Sequence, residues 1–508
     1  MNARGKTKDT NKSREELNLF CCRPELQGNS ATGKYPKAVY MLDNDDKSII
    51  LKWIEELRFP DEYVSNLGRC VNLSTLQMFG IKSHDCHVMM QRILPIAFKE
   101  LLPINVWKAI TDLCLYFKEL TSPNLQVDNL RQMHQNIPVI LCKLERIFPP
   151  SFFDSMEHLP IHLAYEALLA GPDHIQTIQR NIPRNLVGAS SSGIEDHPHM
   201  LTIFKNIGRV FGKNSSRFLQ KEEYDAAHLY VLNNCPEVTN TYTGLFFDEI
   251  KYKFPRITAN QLQIKFDTEF ANWFKSYVGD PSNEIDNIYL RHLSLGPLQR
   301  VTCYQGFYVN GFKFQTVEYG SRNKTDNGGI CVKGSVLGGV QQDYYGRLLE
   351  VVILEYPGLP TKKTTLFKCQ WFDPSPTWTF VDREFKLVSI NQTHLYNKYE
   401  PFVLASQAIQ VYYCTYPSKN VTRRNWLAAC KVKARSLVEV SSNETSLPFQ
   451  EELFTQVHHT IIDDDPIPVH PDGGLVDMVE DEDEDEDAIH ESILETSSSE
   501  ADDLDDIE

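Results

Sequence analysis

From Leu42 onward the apolar positions recur at helical spacing. Asn44, Asp45 and Asp46 are capping residues ahead of Ile49, Ile50, Trp53 and Leu57, and Pro60 closes the pattern, which predicts a first helix. Three further stripes follow: Met89, Met90, Ile93, Leu94 and Ala97; then Val106, Ile110, Leu113 and Phe117; then Leu130, Met133, Ile137, Leu141, Leu144 and Phe148. Pro138 lies inside the last of these and predicts a kink or a break. Another helix is expected between Pro149-Pro150 and Gly171-Pro172, with Pro160 as an alternative first turn. The span 41–172 therefore reads as a helical bundle.

Between 173 and 216 the periodicity gives way to small and polar residues, as at Gly188-Ala189-Ser190-Ser191-Ser192-Gly193, and a linker is expected. Helical spacing returns over 217–280, through Tyr224, Ala227, Leu229, Leu262, Phe266, Phe270 and Phe274. After Gly296-Pro297 the period falls to two. Asn310-Gly311, flanked by Phe307-Tyr308-Val309 and Phe312-Lys313-Phe314, supplies the two positive-φ positions of a hairpin turn. Short strands at this spacing, without long helices between them, predict a small closed or half-closed barrel over 298–416. The ends complete the picture: a flexible basic arm over 1–40, a basic, helical extension over 417–460 and a disordered acidic tail over 461–508. The fold class is α+β and multi-domain: an N-terminal helical bundle region, a second helical group, a C-terminal small β-barrel-like domain and the tail.

Composition changes this picture mainly through charge. The net charge of −17 is concentrated at the end of the chain, since Val476 to Glu508 hold 17 of the 68 acidic residues and no Lys or Arg. The remaining 51 acids balance 51 bases, so the body is neutral overall and supports a basic nucleic-acid face only if its cations are gathered locally. No apolar run approaches the ~20 residues of a membrane span, and no apolar segment follows the N-terminal charges, so neither membrane insertion nor secretion is expected. The 12 cysteines are scattered mostly singly, as reduced thiols would be.

Candidate chemistry gathers at two places. His84, Cys86 and His87 lie in Ser83-His84-Asp85-Cys86-His87, and His158 and His162 stand four apart, on one face of an unbroken helix. These are residue types that zinc prefers, and Cys70 is a further donor, so a structural zinc is the one cofactor the chain invites. Hydrogen bonding at helix ends accounts for the same residues. Asp85, Glu157 and Glu166 are carboxylates that a two-metal site can use, and capping or exposure explains them equally well. No glycine-rich phosphate loop, nucleophile elbow or CxxC pair is present, and no small-molecule substrate is evident. The aromatic residues Tyr344, Tyr345, Trp371 and Phe372 either line a groove for a protein partner or fill the core.

Several of these motifs, in order, resemble the second half of the plant En/Spm (CACTA) transposases: Gly5-Lys6-Thr7-Lys8-Asp9-Thr10, Phe59-Pro60-Asp61, Ser83-His84-Asp85-Cys86-His87, Ile147-Phe148-Pro149-Pro150-Ser151-Phe152-Phe153-Asp154 and His162-Leu163-Ala164-Tyr165-Glu166. Ala227-His228-Leu229-Tyr230-Val231-Leu232, Tyr344-Tyr345-Gly346, Leu366-Phe367-Lys368-Cys369 and Phe402-Val403-Leu404-Ala405-Ser406-Gln407 continue the resemblance. It implies two accessory domains of unknown function, one helical and one strand-rich, and a nuclear location, with the cytoplasm as the alternative. It also makes His158 and His162 counterparts of a zinc-binding His pair. The family's first two catalytic aspartates precede the Gly5-Lys6-Thr7 motif. Its third acid is expected beyond the His pair, where this chain reads Gly171-Pro172-Asp173-His174. The expectation is a truncated, transposase-derived protein that does not cut DNA, with a protein partner for the strand-rich domain, DNA recognition without cleavage, or no retained activity as the competing roles.

Overall fold

The computed structural model describes residues 36–434 apart from 123–124, 150–151, 154–157, 180–199, 206–207, 335–342, 360 and 383, together with a few positions before residue 36. The expected tail lies outside the described residues, as does most of the expected arm. Some described positions of the arm are packed and others exposed: Leu26 and Ala38 are buried, and Arg23 donates to the carbonyls of Glu145 (3.2 Å) and Ile147 (3.2 Å), whereas Leu19 faces solvent. Among the described residues no helix is long and apolar enough to cross a membrane.

Helix α1 (Asn44–Glu56) starts one residue earlier than its acidic caps suggest, because Asp43 is the cap and accepts from the Asp46 amide at 2.7 Å. Helix α2 begins at Ser83–Val88, widens into a π turn at Met89–Ile93 and resumes at Leu94–Ala97. Pro95 cannot donate to the preceding turn, and a π turn is one way to accommodate the interrupted ladder. The bundle proper is α3 (Ile104–Leu120), α4 (Val127–Glu145) and α5 (Pro160–Gln179). Pro138 does not divide α4: its neighbours Met133, Ile137, Leu141 and Leu144 are all buried against α3 and α5, and this packing holds the helix together. Likewise α5 begins at Pro160 and runs through Gly171-Pro172 instead of stopping there.

The strand-rich part is one antiparallel sheet of eleven strands: β1 (Arg209–Phe218), β2 (Arg300–Val309), β3 (Phe312–Gln315), β4 (Gly329–Lys333), β5 (Asp343–Tyr356), β6 (Lys362–Trp371), β7 (Thr379–Val381), β8 (Val388–Asn391), β9 (Phe402–Leu404), β10 (Ile409–Thr415) and β11 (Trp426–Lys431). Its main path runs β9-β6-β5-β4-β10-β11-β8-β7. The sheet forks at β5, which pairs with β4 over Asp343 to Arg347 and with β2 over Val351 to Ile353, while β6 follows its other edge. The fork leaves terminal strands, so the expected barrel does not close. The Asn310-Gly311 turn joins β2 to β3 with φ of 51° and 72°, as its sequence predicts.

Two strands occupy segments expected to be something else. β1 lies in the expected linker; seven of its ten residues are exposed and none is fully buried, which explains the polar composition. β11 lies in the expected basic, helical extension, yet it is central in the sheet, between β10 and β8, with Leu427, Ala428 and Cys430 buried. Helices α6 (Lys221–Asn233), α7 (Tyr242–Lys253), α8 (Ala259–Gly279) and α9 (Ile288–Ser294) cover one face of the sheet, against Val352, Leu354, Tyr356, Leu366 and Phe402. Helices α1 and α2 cover the other, with Ile50, Trp53, Ile93 and Ile96 against Phe314, Leu348, Val351, Phe367 and Tyr412. Burial on both faces is why Val351-Val352-Ile353-Leu354 reads as an unbroken apolar run.

Candidate functional site

The residues singled out for chemistry divide by what each side chain does. Asp85 is buried at the start of α2, where it accepts from the Ser65 amide (2.9 Å) and from the Ser65 hydroxyl. It ties a loop to a helix. His84 meets the Tyr63 carbonyl through Nε2 at 3.1 Å, whereas Cys86 and His87 are exposed. Cys70 is buried, with Sγ 3.5 Å from the Gly80 carbonyl. Glu157 lies outside the described residues and Glu166 is exposed.

His158 and His162, at the start of α5, do meet: their Nε2 atoms are 3.1 Å apart and the rings stand edge to face with centroids 5.0 Å apart. Two imidazoles bound to one tetrahedral zinc hold their nitrogens about 3.3 Å apart, so the pair fits two of the four ligand positions. Among the described residues no group of three or more His, Cys, Asp or Glu is placed to share a metal ion, and the His84 to His87 segment is not brought together with the His158 pair.

The aromatic set in the sheet also splits. Tyr345 and Phe372 are core; Tyr344 packs edge to face on Tyr396 with centroids 6.0 Å apart, and Trp371 donates from Nε1 to the Glu400 carbonyl at 3.0 Å. Residues 396–400 thus cap the outward-facing rings.

A second kind of cluster, invisible as a motif, forms where the bundle meets the sheet. Arg92 projects from the π turn of α2, Lys118 from the last turn of α3, and Lys433 follows β11. Lys433 donates to the Thr121 carbonyl at 3.1 Å, and Gln91 donates to the Thr121 hydroxyl at 3.0 Å, which draws the three segments together. Among the described residues none of the three cations pairs with a carboxylate. Burial, then the charge of Arg92 and more weakly that of Lys433, push the Lys118 ammonium down to about 8 against the opposing effects of Cys430 and Glu119. Lys433 is lowered by burial and then by Arg92. Burial works against the Arg92 cation too, but the neighbouring Tyr63 and Cys430 outweigh it. Cys430 is the thiol that ionises first in its buried pair, drawn down to about 7 by its hydrogen bond with Cys414 and, against the opposing effect of burial, by Arg92. The available sequence signal was a basic residue inside Met89-Met90-Gln91-Arg92-Ile93-Leu94.

A contrasting cluster joins α6 to the sheet. Arg217 donates to Glu350 from Nη2 (2.6 Å) and Nε (3.0 Å), and to Glu223 from Nη1 (2.7 Å) and Nη2 (3.0 Å). Lys368 donates to Glu223 as well. Burial alone would raise the Glu223 carboxyl; the hydrogen bonds from Arg217, Lys368 and the Gln220 amide hold it down to about 2.

Comparison with known families finds two matches. Residues 120–187 match a domain of unknown function (DUF4218) and residues 352–429 match another (DUF4216). The first covers α4 and α5, and the second runs from within β5 to within β11. No curated protein and no solved structure shows significant similarity to the chain.

Proposed function

We propose that this chain is a transposase-derived accessory protein, of the En/Spm (CACTA) kind, that engages nucleic acid without cutting it. Both matched domain families are known in transposase-like proteins, and the two occur here in one compact unit. The observation that carries the nucleic-acid reading is the cluster of Arg92, Lys118 and Lys433. Thr121 draws its elements together, accepting from Lys433 through its carbonyl and from Gln91 through its hydroxyl, and the cluster gives the local concentration of cations that a neutral body needs in order to hold a phosphate backbone. The non-cutting part of the reading rests on the sequence beyond His162, where the family's third acid is expected and Gly171-Pro172-Asp173-His174 stands instead. A zinc ion on His158 and His162 would serve structure in this reading.

The test is fluorescence anisotropy with labelled oligonucleotides. The full chain is compared with one ending at Leu475, so that repulsion by the 17 acidic residues is controlled. Salt-dependent binding, stronger for the shortened chain, is the expected result. Absence of binding by either form at low salt would overturn the nucleic-acid reading. Magnesium- or manganese-dependent cleavage of supercoiled plasmid, abolished by Asp85→Asn or Glu166→Gln, would overturn the non-cutting one.

A second reading, a protein partner, is favoured by the corner between α7 and α8. Tyr252 is 88% exposed there and Ile264 62%, beside Phe254. Binding of a protein partner that Ile264→Asp abolishes, with no oligonucleotide binding, would select that reading.

A further inference from the structure

We infer that the junction of Arg92, Lys118 and Lys433 is a binding site for a phosphate group, the place where a nucleic-acid backbone docks across bundle and sheet. The inference rests on the nucleic-acid reading above and names the residues that carry it. Three features converge on it. First, the cations come from three separate elements, so the fold itself gathers them: the π turn of α2, the end of α3, and the segment after β11. Second, Arg92 and Lys118 are only partly exposed, and like charges brought together away from water repel strongly unless an anion intervenes. Third, among the described residues no carboxylate pairs with any of them, whereas several other cations of the sheet have acid partners: Arg217 pairs with Glu223 and Glu350, Lys431 with Asp343, and Lys313 with Asp61; Lys362, on β6, meets the His292 ring instead.

The acidic groups already at the junction are too small a counterweight. The buried thiol Cys430, hydrogen-bonded with Cys414, faces Arg92 and Lys118, and Glu119, beside Lys118, is exposed and forms no ion pair with any of the three cations. A phosphate oxygen held by the planar Arg92 guanidinium and flanked by two ammonium groups supplies further negative charge, with Arg92 giving directional donors and the lysines point charge. π turns within helices are recurrent at functional sites because they displace one side chain from the regular ladder, and here the displaced segment carries Arg92.

Two sources of this chemistry, a nucleic-acid backbone and a free phosphate, are separated by experiment. Anisotropy is measured on the full chain, and on the chain ending at Leu475, with a labelled oligonucleotide. Lys118→Gln/Lys433→Gln is compared with wild type, and Lys118→Arg tests rescue by retained charge. In parallel, melting temperatures are recorded with inorganic phosphate against chloride at matched ionic strength. The expected result is a loss of affinity of about tenfold or more in the double variant at 0.1 M salt, with the slope of log affinity against log salt reduced by about 2, and near-wild-type binding by Lys118→Arg. The double variant should melt no lower than wild type, so a folding defect cannot mimic the loss. Oligonucleotide binding unchanged in the double variant overturns this site and leaves the nucleic-acid reading standing. No oligonucleotide binding, with phosphate stabilising wild type but not the double variant, overturns the nucleic-acid reading and leaves a site for a small phosphate compound. No response in either assay overturns both.

Discussion

Lys118→Met should stabilise the protein at neutral pH. The ammonium is depressed from 10.5 to about 8 by burial and by the charges of Arg92 and Lys433. Each unit of such a shift corresponds to about 1.4 kcal/mol favouring the deprotonated state in the fold, which caps the cost of keeping Lys118 charged at about 3 kcal/mol. Solvent still reaches the site, and screening brings a realistic figure to about 1–2 kcal/mol. Methionine keeps the packing of the aliphatic stem without the charge. The sign follows from linkage: the unfolded chain binds the proton more tightly, so the penalty is full below about pH 8 and disappears as pH rises towards 10.5. Thermal or urea unfolding at pH 7, 8.5 and 10 should therefore show Lys118→Met more stable at pH 7, with the gap shrinking at each step. A variant less stable than wild type at pH 7, or a gap that does not change with pH, would show that Lys118 has a compensating partner in the fold and would remove the argument for an external anion.

Glu223→Gln should cost about 2 kcal/mol at pH 7, because it strands two cations while retaining an amide able to cap α6. Its folded carboxyl near 2 lies below the ordinary 4.5, so the contribution is present above about pH 4.5 and fades as pH falls towards 2; unfolding midpoints should converge by about 0.8 kcal/mol between pH 7 and 4. His228, buried and lowered to about 4 by desolvation and then by Lys275, is neutral in the fold. Acidification from pH 6.5 to 4 should therefore cost wild type about 2–3 kcal/mol through this group, and His228→Gln should flatten that part of the stability profile. Gly346→Ala places a methyl 2.6 Å from the Trp371 ring and 2.7 Å from the Gln370 carbonyl, and should lower stability by about 1–3 kcal/mol in urea unfolding. Zinc titration followed by proton NMR should shift the ring signals of His158 and His162 together, and His162→Asn should abolish the response.

How far the sequence led depended on whether the determining contacts were local. The stripes of α3 and α4 were legible because one face meets the core and the other meets water, and Asn310-Gly311 was legible because its φ angles allow few alternatives. Pro138 misled because a local breaker was overridden by the buried residues around it. β11 was hidden by flanking basic residues and by Leu427-Ala428-Ala429-Cys430, which lacks alternation since both faces of that strand are covered. β1 was hidden for the opposite reason: an exposed strand carries little apolar signal. The His158 and His162 contact followed from a spacing of four, whereas convergence with His84, Cys86 and His87 required knowing how two helices pack, which their sequences do not state.

The two charged clusters show why the junction is the better candidate for function. At Arg217 and Lys368 the fold places two carboxylates, Glu223 and Glu350, against two cations, with bidentate geometry and a helix cap built in. Charge is balanced within the protein, so the cluster joins α6 to the sheet and asks nothing of a ligand. At Arg92, Lys118 and Lys433 the same fold brings three cations together, partly buries two of them and sets among them a thiol pair, the Tyr63 hydroxyl and, at the exposed edge, Glu119, which forms no ion pair with them. A protein that neutralises one buried cluster so completely has the means to neutralise another, yet the adjoining acid, Glu119, is exposed and makes no ion pair with the three cations. The imbalance is then a stability cost carried at one place, where the segment after β11 is tied to the end of α3 by Lys433 and Thr121. Strain or unbalanced charge held locally in an otherwise consistent fold marks the positions where binding, not folding, sets the requirement.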